Sequence, residues 1–438
     1  MFGNFRYVLG EGSLGWCGLL WEKKRRKSER QSCSAIETLQ HQKLCRLLRK
    51  MLHIPHWREM PTAGKALRSG EDLREWLSHF PILAKETIRR EGARMLTPEH
   101  SEGNVEWCVT GGSTGEPLRV LKDFSTRVAA QGACLRGFRW QGIHPGDATV
   151  FVKGIGQISW LGKTRCLAQN LRLVDPLNPD HADAAKILKL IQIFAPRCLI
   201  GYPTYLLKLA EIAMDAGLQV PVIFSTGEML YPAQRKTMEK VFSSRVTEYY
   251  GSNEVSGIAF ECEHGRKHIT EEHVLLETVN DAGQPVWEQP GRILVTDLDN
   301  HAMPLVRYEL GDVGILTREP CPCGRALLVL KELQGRLQDC LQNAHGDILP
   351  AMFFAEVSQH LAGIRSYQLV QSSFGDILLR YVPNGHTAEA EVELIRAAIH
   401  KHLGSEMRII SEICKEISLT PRGKTRLVVG MDWNHRQP

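Results

Sequence analysis

The sequence contains no apolar run long enough to cross a membrane, although 43% of its 438 residues are hydrophobic. A transmembrane helix needs about 18 or more consecutive apolar residues. The apolar segment at residues 14–21 is far shorter, and it precedes a basic run, whereas a signal peptide places its charge first. These absences predict a protein of the cytoplasm, and the length predicts two or three domains.

An excess of charge of one sign is also missing, because the formal net charge is only +5. The basic residues are scattered, apart from a run at residues 22–27, so the sequence does not favour nucleic-acid binding. That run predicts a solvated face or arm, with contact to a membrane surface as the alternative. The 12 cysteines are dispersed along the chain, and most are expected to be reduced core thiols.

The sequence also lacks internal repeats and low-complexity segments. Helix and strand patterns alternate along it instead. Between residues 125 and 225, hydrophobic patterns of helical and strand period follow one another, which is typical of a largely parallel, doubly wound sheet. Short strand patterns after residue 257 predict a β-rich subdomain. From residue 351 onward the order α-β-β-α-β predicts a compact α+β unit of ordinary domain size.

The expected fold class is therefore α/β, with a large N-terminal domain of doubly wound mixed sheets plus a β-rich subdomain, and a small α+β C-terminal domain. The expected division is an N-terminal arm at residues 1–32, the large domain at 33–335 with its β-rich subdomain at about 258–335, and the C-terminal domain at 336–438.

A glycine- and hydroxyl-rich loop follows a short β-prone segment. Its candidate phosphate-binding residues are Thr110, Gly111, Gly112, Ser113, Thr114 and Gly115. Glycines leave backbone N–H groups uncovered and the hydroxyls can donate, so the loop can form a nest for an anion. It lacks the Gly-Lys-Ser/Thr of a Walker loop. The alternative is a plain flexible connection.

Three further segments carry polar groups at the ends of predicted elements. Tyr249-Tyr250-Gly251-Ser252-Asn253-Glu254 places an aromatic pair where it can stack on a base and a carboxylate where it can hold Mg²⁺. Asp312 can accept bonds from both hydroxyls of a ribose, and Lys424 lies on a tight Gly-Lys turn. The alternatives are a core tyrosine with a surface glutamate, an ordinary turn aspartate and a solvated lysine.

Taken in order, these segments resemble the adenylate-forming superfamily of acyl- and aryl-CoA ligases, most closely the branch of phenylacetate–CoA ligases and adenylating proteins of capsular-polysaccharide clusters. Five motifs carry the resemblance across residues 34–430. They are the glycine loop, Tyr-Tyr-Gly-Ser-Asn-Glu, Arg-Tyr-Glu-Leu-Gly-Asp at 307–312, Gly-Arg-Leu-Gln-Asp at 335–339, and the terminal Gly-Lys.

The resemblance implies a task for each motif. The glycine loop would grip the β- and γ-phosphates of ATP, Tyr250 would pack on adenine, Glu254 would bind Mg²⁺, and Asp312 would hold the ribose. Lys424 would bridge the substrate carboxylate and the α-phosphate. The remaining residues of the implied nucleotide site are Gly227, Glu228, Tyr249, Gly251, Ser252 and Arg336. The small domain would be mobile about a hinge at residues 336–340, most plausibly Asp339.

A second group of residues has metal-ligand spacing. Two thiols at Cys-x-Cys spacing, Cys321 and Cys323, together with Cys262 and His268, suit tetrahedral Zn²⁺. His264 is the rival fourth ligand. The resemblance adds that members of this branch carry cysteines and a histidine at these places. The alternative is a set of reduced thiols with surface histidines.

The implied activity is a two-step ligase reaction that uses ATP, Mg²⁺ and CoA. A small-molecule carboxylic acid becomes an acyl-adenylate, and a thiol then displaces AMP. Alternatives for the acceptor are a carrier-protein thiol or a sugar amine or hydroxyl, and an alternative of another class is an inactive nucleotide-binding interaction module. No nucleic-acid partner is expected, and a homodimer is one open arrangement. The acid pocket would be lined by segments around residues 151–154, 201–203 and 225–228.

Overall fold

The fold is described here from a computed structural model of the chain. The described residues are 2–62, 67–68, 70–98, 104–109, 118–153, 159–176, 184–336, 339–345, 348–350, 353–354, 357, 361–384, 388–417 and 426–431. The glycine loop at 110–117 and Lys424 lie outside these ranges. Within them, no helix is long and apolar enough to cross a membrane.

The helices are α1 (Phe2–Arg25), α2 (Cys33–Met51), α3 (Pro55–Arg58), α4 (Leu73–Leu77), α5 (Lys85–Glu91), α6 (Phe124–Trp140), α7 (Trp160–Ala168), α8 (Ala184–Phe194), α9 (Pro203–Ala213), α10 (Pro232–Phe242) and α11 (Ala388–Leu403).

The strands are β1 (Glu106–Val109), β2 (Arg119–Lys122), β3 (Thr149–Val152), β4 (Leu171–Val174), β5 (Cys198–Gly201), β6 (Val222–Ser225), β7 (Arg245–Tyr250), β8 (Ala259–Glu261), β9 (Lys267–Ile269), β10 (Val274–Val279), β11 (Gly291–Asp297), β12 (Tyr308–Thr317), β13 (Val329–Arg336), β14 (Cys340–Gln342), β15 (Ile348–Pro350), β16 (Ile364–Ser373), β17 (Asp376–Pro383), β18 (Arg408–Ile413) and β19 (Val428–Val429).

The large sheet has a parallel half and an antiparallel half that share strand β7. The first four residues of β7 pair in parallel with β6, and the strand order continues β6-β5-β3-β4. The last two residues of β7 pair antiparallel with β8, and the order continues β8-β9-β13-β12-β11-β10. The doubly wound mixed sheet with a β-rich extension is confirmed. The sequence did not reveal that a single strand belongs to both halves.

The central strands of the parallel half, β5 and β6, are buried along their whole length. This fits strands covered by helices on both faces. Helix α6 begins at Phe124, because Asp123 is its N-cap and accepts a hydrogen bond from the backbone N–H of Thr126. Parallel strands put their carboxyl ends at one edge, where ligands bind in such sheets.

The C-terminal part has its own sheet and core. β18-β17-β16-β19 form a four-stranded sheet, and α11 buries Val392, Ile395 and Ile399 in the same apolar cluster as Leu369 and Leu379 of the sheet. This confirms a smaller α+β C-terminal domain. The short final strand β19 follows the strand that the sequence pattern gave as the last.

Helix α1 packs closely on α6, which the sequence pattern did not indicate. A Cβ atom on Gly132 would lie 2.5 Å from the Trp21 ring, and one on Gly18 would lie 3.0 Å from the Gln131 side chain. Glycines at both places let the two backbones approach. Just beyond α1, Glu29 accepts hydrogen bonds from Arg139 and from the Trp140 indole, so the first 30 residues are attached to the large domain by buried polar contacts.

Candidate active site

Two tyrosine–carboxylate pairs lie where the two halves of the large sheet meet. The Tyr250 hydroxyl donates to Oδ2 of Asp312 over 2.7 Å. The Tyr308 hydroxyl donates to Oε1 of Glu254 over 2.8 Å. The structure therefore brings together three residues that the sequence predicted, and adds Tyr308, which it did not.

The strands explain why these side chains meet. Tyr250 is the last residue of β7, and the chain then turns sharply, since a Cβ on Gly251 would meet the backbone nitrogen of Gly257 at 3.1 Å. In that turn the Ser252 hydroxyl accepts a hydrogen bond from the backbone N–H of Val255. This turn carries the buried Glu254 back toward the sheet.

Strand β12 supplies the other side of the group. Tyr308 and Asp312 stand four residues apart on it, and the register against β11 shifts between them, where Gly311 has φ +83°. The register pairs Asp312 with Arg336 of β13, and Nε of Arg336 lies 3.8 Å from Oδ1 of the carboxylate. No pattern in the sequence marked Tyr308, because its task depends on Glu254, which is 54 residues away in the chain.

Burial governs the electrostatics of this group. Burial raises the pKa of Asp312 above its usual value, while Arg336 and the Tyr250 hydroxyl oppose that rise. Burial and the neighbouring carboxylates raise the pKa of Tyr250 and of Tyr308 well above the usual value. Both phenols therefore stay protonated and act as donors to the carboxylates. The Arg336 side chain beside the two carboxylates is 55% exposed, so its positive charge faces solvent.

A buried arginine secures the start of β12. Arg307 has a left-handed backbone (φ +49°), which is uncommon for a residue with a side chain. Its guanidinium lies 3.2 Å from Glu277 and donates to the carbonyls of Ser78, Phe80 and Gly283. These four contacts hold Arg307 in its strained backbone conformation. They thereby fix the start of the strand that carries Tyr308 and Asp312. No role for Arg307 was predicted from the sequence.

The segment at residues 80–85 lies along the same strand. Leu83 forms a parallel bridge with Tyr308 through two backbone hydrogen bonds. Lys85 donates to the carbonyl of Leu310 over 3.4 Å, and its charge opposes the rise in the pKa of Asp312. A second cation thus borders the candidate site from the large domain.

A second polar group lies at the carboxyl ends of β5 and β6. Oε2 of Glu228 accepts hydrogen bonds from the backbone N–H and the hydroxyl of Thr204. Its other oxygen, Oε1, and the Ser225 hydroxyl are buried with no hydrogen-bond partner among the described residues. Gly227 has φ +74°, and a Cβ there would lie 2.5 Å from the Tyr202 ring. Unsatisfied buried polar atoms at this edge of a parallel sheet indicate a place for a ligand.

Tyr249 belongs to this second group and not to the first. Successive residues of a strand point to opposite faces, and Tyr249 stacks on Phe260 at a centroid distance of 5.6 Å. The Thr226 side chain is its hydrogen-bonding neighbour. The structure therefore separates the aromatic pair, with Tyr250 at Asp312 and Tyr249 against the core beside the Thr226–Glu228 turn.

The glycine loop Thr110–Gly115 and Lys424 cannot be placed, because they lie outside the described residues. The strands that flank the loop, β1 and β2, are paired antiparallel. Close to the other segment, Arg426 donates to Oδ1 of Asp339 over 2.8 Å. This contact joins the chain two residues after Lys424 to the expected hinge residue.

The Cys/His cluster comes together as the spacing predicted. One potential ligand atom from each of Cys262, His268, Cys321 and Cys323 lies within 4.8 Å of all the others. The Sγ atoms of Cys262 and Cys321 are 3.7 Å apart, close to the edge of about 3.8 Å of a tetrahedron with metal–sulfur bonds of about 2.3 Å. His264, the rival, has an exposed side chain, and only its backbone N–H reaches the thiol of Cys262.

The histidine of this cluster is oriented as a metal ligand would be. Nδ1 of His268 lies 3.1 Å from the Leu327 carbonyl, and Nε2 lies 3.2 Å from Sγ of Cys323. A hydrogen bond from Nδ1–H to a carbonyl fixes the tautomer and leaves Nε2 as the ligand atom. Burial lowers the pKa of His268 to about 4, so the imidazole is neutral near pH 7, as metal binding requires.

Several known proteins are similar to this chain in sequence or in fold. The chain is 28% identical over 361 residues to a phenylacetate-coenzyme A ligase of Thermus thermophilus, covering 76% of this chain and 78% of the relative. It is 24% identical over 369 residues to Protein CapK of Staphylococcus aureus, covering 81% and 80%. Residues 341–430 match the family model described as the CapK C-terminal domain.

These relatives support, for this chain, the adenylate-forming family of phenylacetate–CoA ligase and CapK. The same fold is found in a crystal structure of 2-hydroxyisobutyryl-CoA ligase in the postadenylation state in complex with R3-HIB-AMP, with a TM-score of 0.73, 19% identity, and coverage of 93% of this chain and 92% of that chain. Tyr250, Glu254, Asp312 and Arg336, which the resemblance implied for the nucleotide site, lie near one another at the junction of the sheet halves.

Proposed function

We propose that the protein is an ATP-dependent acid–thiol ligase. The carboxylate of a small organic acid attacks the α-phosphorus of ATP, and the bond to the leaving oxygen breaks, which yields an acyl-adenylate and pyrophosphate. The thiol of CoA then attacks the acyl carbon, loses its proton and displaces AMP. The observation that carries the proposal is the pair of carboxylates, Glu254 and Asp312, held by tyrosine hydroxyls where the two halves of the large sheet meet.

Asp312 is proposed as the ribose ligand. Its Oδ2 already accepts from Tyr250, which leaves lone pairs on both oxygens for the ribose hydroxyls. The Tyr250 ring, at the end of β7, is proposed to pack on adenine, and the exposed guanidinium of Arg336 is proposed to reach the ribose or a phosphate. Gly227, Gly251 and Ser252 shape the turns on which these side chains stand.

Glu254 is proposed to hold Mg²⁺, and its surroundings fit that task. One carboxylate oxygen of Glu254 accepts a hydrogen bond from the Tyr308 hydroxyl, which fixes the orientation of the carboxylate. Its remaining lone pairs stay available to a metal ion, and Mg²⁺ prefers oxygen ligands. When bound, the ion neutralises the charge of the triphosphate. Glu228, with its unpaired Oε1, is proposed to border the nucleotide or the acid at the neighbouring turn.

The loop residues Thr110, Gly111, Gly112, Ser113, Thr114 and Gly115 remain proposed phosphate ligands. Lys424 remains the proposed cation at the α-phosphate, where a positioned charge stabilises the displacement. The proposed domain boundaries are unchanged, with the hinge at residues 336–340. The contact between Asp339 and Arg426 supports a hinge that is coupled to the segment of Lys424.

A structural zinc ion is proposed at Cys262, His268, Cys321 and Cys323. Four protein ligands close a tetrahedral site, so the metal would contribute to the fold and not to the chemistry. It would join the β8–β9 turn to the turn before β13. Both turns lie in the antiparallel half that also carries Asp312.

The proposal is tested by a pyrophosphate-release screen over aryl, fatty and hydroxy acids, with ATP and Mg²⁺, with and without CoA. We expect at least one acid to release pyrophosphate, and CoA to increase turnover by removing the adenylate. A carrier-protein thiol, or a sugar amine or hydroxyl, replaces CoA in parallel reactions, because the C-terminal domain matches that of CapK. An inactive interaction module would bind ATP and release no pyrophosphate with any acid.

A further inference from the structure

Two adjoining helices, one in the N-terminal arm and one in the large domain, expose several large apolar side chains. Helix α1 packs against α7, and Glu11 of α1 accepts hydrogen bonds from Arg165 of α7 and from Gln169, the residue that follows α7. The exposed apolar residues of the two helices are Trp16, Leu20, Trp160, Leu161 and Leu167, and Trp160 is 75% exposed. Exposed apolar residues that stand singly are ordinary, whereas a group of this kind marks an interaction surface.

The same two helices also carry exposed basic residues. The exposed lysines are Lys23 and Lys24 at the end of α1, Lys27 two residues beyond it, and Lys163 in α7. The acidic side chains of the two helices are both engaged, since Glu11 pairs with Arg165, and Glu22 is buried against Arg26 and Arg139. The lysines therefore stand beside the apolar side chains without acidic neighbours on these helices. We name this surface, formed by the five apolar residues and four lysines, the basic–aromatic face.

The helical period places the two kinds of residue side by side. On α1, Trp16 and Leu20 are four residues apart, and Lys23 and Lys24 follow on the next turn of that face. On α7, Trp160, Lys163 and Leu167 are spaced in the same way. The opposite face of α1 is committed to the fold, because Gly15, Gly18 and Glu22 are buried. Trp16 and Leu20 therefore lie on the side of α1 away from its buried residues.

We infer that the basic–aromatic face binds the surface of an anionic lipid bilayer. Tryptophan and leucine enter the headgroup boundary, and lysines are attracted to anionic headgroups, each worth roughly fivefold in affinity near the surface. A second copy of the chain fits less well, because a two-fold interface places the same lysines on both sides. The inference concerns where the protein docks and does not rest on the proposed chemistry.

The test is co-sedimentation of the full-length protein with vesicles. Phosphatidylcholine vesicles are compared with vesicles that also contain phosphatidylglycerol, at low and at high salt. We expect binding to the anionic vesicles at low salt, a strong decrease at high salt, and little binding to phosphatidylcholine alone. The triple variant Lys23→Ala/Lys24→Ala/Lys27→Ala should weaken binding on the order of 100-fold.

The double variant Trp160→Ser/Leu161→Ser should weaken binding about tenfold or more while leaving the melting temperature unchanged, since both side chains are already in solvent. Matched controls on the C-terminal domain are Ile413→Ser, which removes another side chain that is 67% exposed, and Lys401→Ala. Neither control should change vesicle binding.

Three results would overturn the inference. The first is equal sedimentation with neutral and anionic vesicles, and the second is full binding by both face variants. The third is that the wild-type protein does not bind vesicles and that Trp160→Ser/Leu161→Ser changes the oligomeric state, as measured by sedimentation velocity. That result would assign the face to a second copy of the chain.

Discussion

The candidate active site and the Cys/His cluster are both built on the antiparallel half of the large sheet, yet their polar groups are completed differently. In the active site each carboxylate has one tyrosine donor, and Arg336 beside them is exposed. In the cluster the potential ligand atoms of four side chains face one another within 4.8 Å. One group leaves bonding capacity for a substrate, and the other is completed within the protein.

This difference separates function from stability. Changes at the active site should alter rate or substrate affinity while the fold persists, because the carboxylates are held by neighbours that remain. Changes at the cluster should alter stability first, and activity only as the fold is lost. The predictions below, from the largest expected effect to the smallest, test that separation.

The largest effect is expected for Cys323→Ser. We expect loss of the zinc that elemental analysis should otherwise find at about one per chain, together with a lower melting temperature. A structural zinc contributes on the order of 10 kcal/mol in small metal-dependent modules, and less where a larger core also supports the fold. The matched control is Cys198→Ser, a buried thiol of β5 outside the cluster, which should keep its metal. Folded, active wild-type enzyme without zinc would remove the site from the account.

Lys424→Ala tests the chemical side of the comparison. Losing a positioned charge at the reacting phosphate costs roughly 3–4 kcal/mol, or about 10²–10³ in the rate of adenylation. ATP affinity and melting temperature should stay near the wild-type values, and thioester formation from a pre-made acyl-adenylate should survive better. The exposed Lys401→Ala serves as the control. Unchanged pyrophosphate release in the Lys424 variant would exclude this lysine from the mechanism.

Asp312→Ala and Glu254→Gln should differ from each other. The ribose contact proposed for Asp312 is the same in the ground and transition states, so its loss should raise the KM for ATP, by roughly 100-fold if about 3 kcal/mol of charged hydrogen bonding is lost. Glu254→Gln should lower kcat and raise the Mg²⁺ requirement. Steady-state kinetics over ATP and Mg²⁺ separates the two, and identical phenotypes would refute the assigned roles.

Tyr308→Phe should give the smallest effect. Removing the hydroxyl leaves Glu254 without its donor, and we expect the Mg²⁺ concentration for half-maximal rate to rise about tenfold, equivalent to roughly 1.4 kcal/mol. Tyr367→Phe is the matched control, because that hydroxyl donates to the Phe354 carbonyl over 2.7 Å in the C-terminal domain. A shift of the same size in both variants would mean that Tyr308 acts through stability alone.

The elements that the sequence predicted best are those with a clear period. Helix α11 and strand β18 fall in the predicted α-β-β-α-β order, and the alternation from α8 to β6 was recognised because amphipathic helices alternate with short apolar strands. Helix α1 was missed because its glycines dilute the pattern. One of those glycines, Gly18, allows close packing on α6, because a Cβ there would lie 3.0 Å from the Gln131 side chain. That reason is visible only once the partner helix is known.

The same contrast applies to the site. Tyr250, Glu254 and Asp312 were predicted because each belongs to a short motif with polar groups at the end of a strand. Tyr308 and Arg307 were missed, since their tasks depend on partners far away in the chain, Glu254 for one and Glu277 for the other. The sequence left the choice of the fourth ligand between His264 and His268 for a similar reason. Only the structure shows that the His268 side chain is buried in the cluster and that the His264 side chain is exposed.

The most direct test of the account is a rapid-quench experiment with the acid selected by the pyrophosphate screen, excess enzyme, ATP and Mg²⁺, and no CoA. Mass spectrometry of the quenched mixture follows the nucleotide products. The account predicts one acyl-adenylate and one pyrophosphate per ATP consumed, with the adenylate converted to thioester and AMP when CoA is added. ADP and phosphate as products, or ATP cleavage that does not depend on the acid, would contradict it.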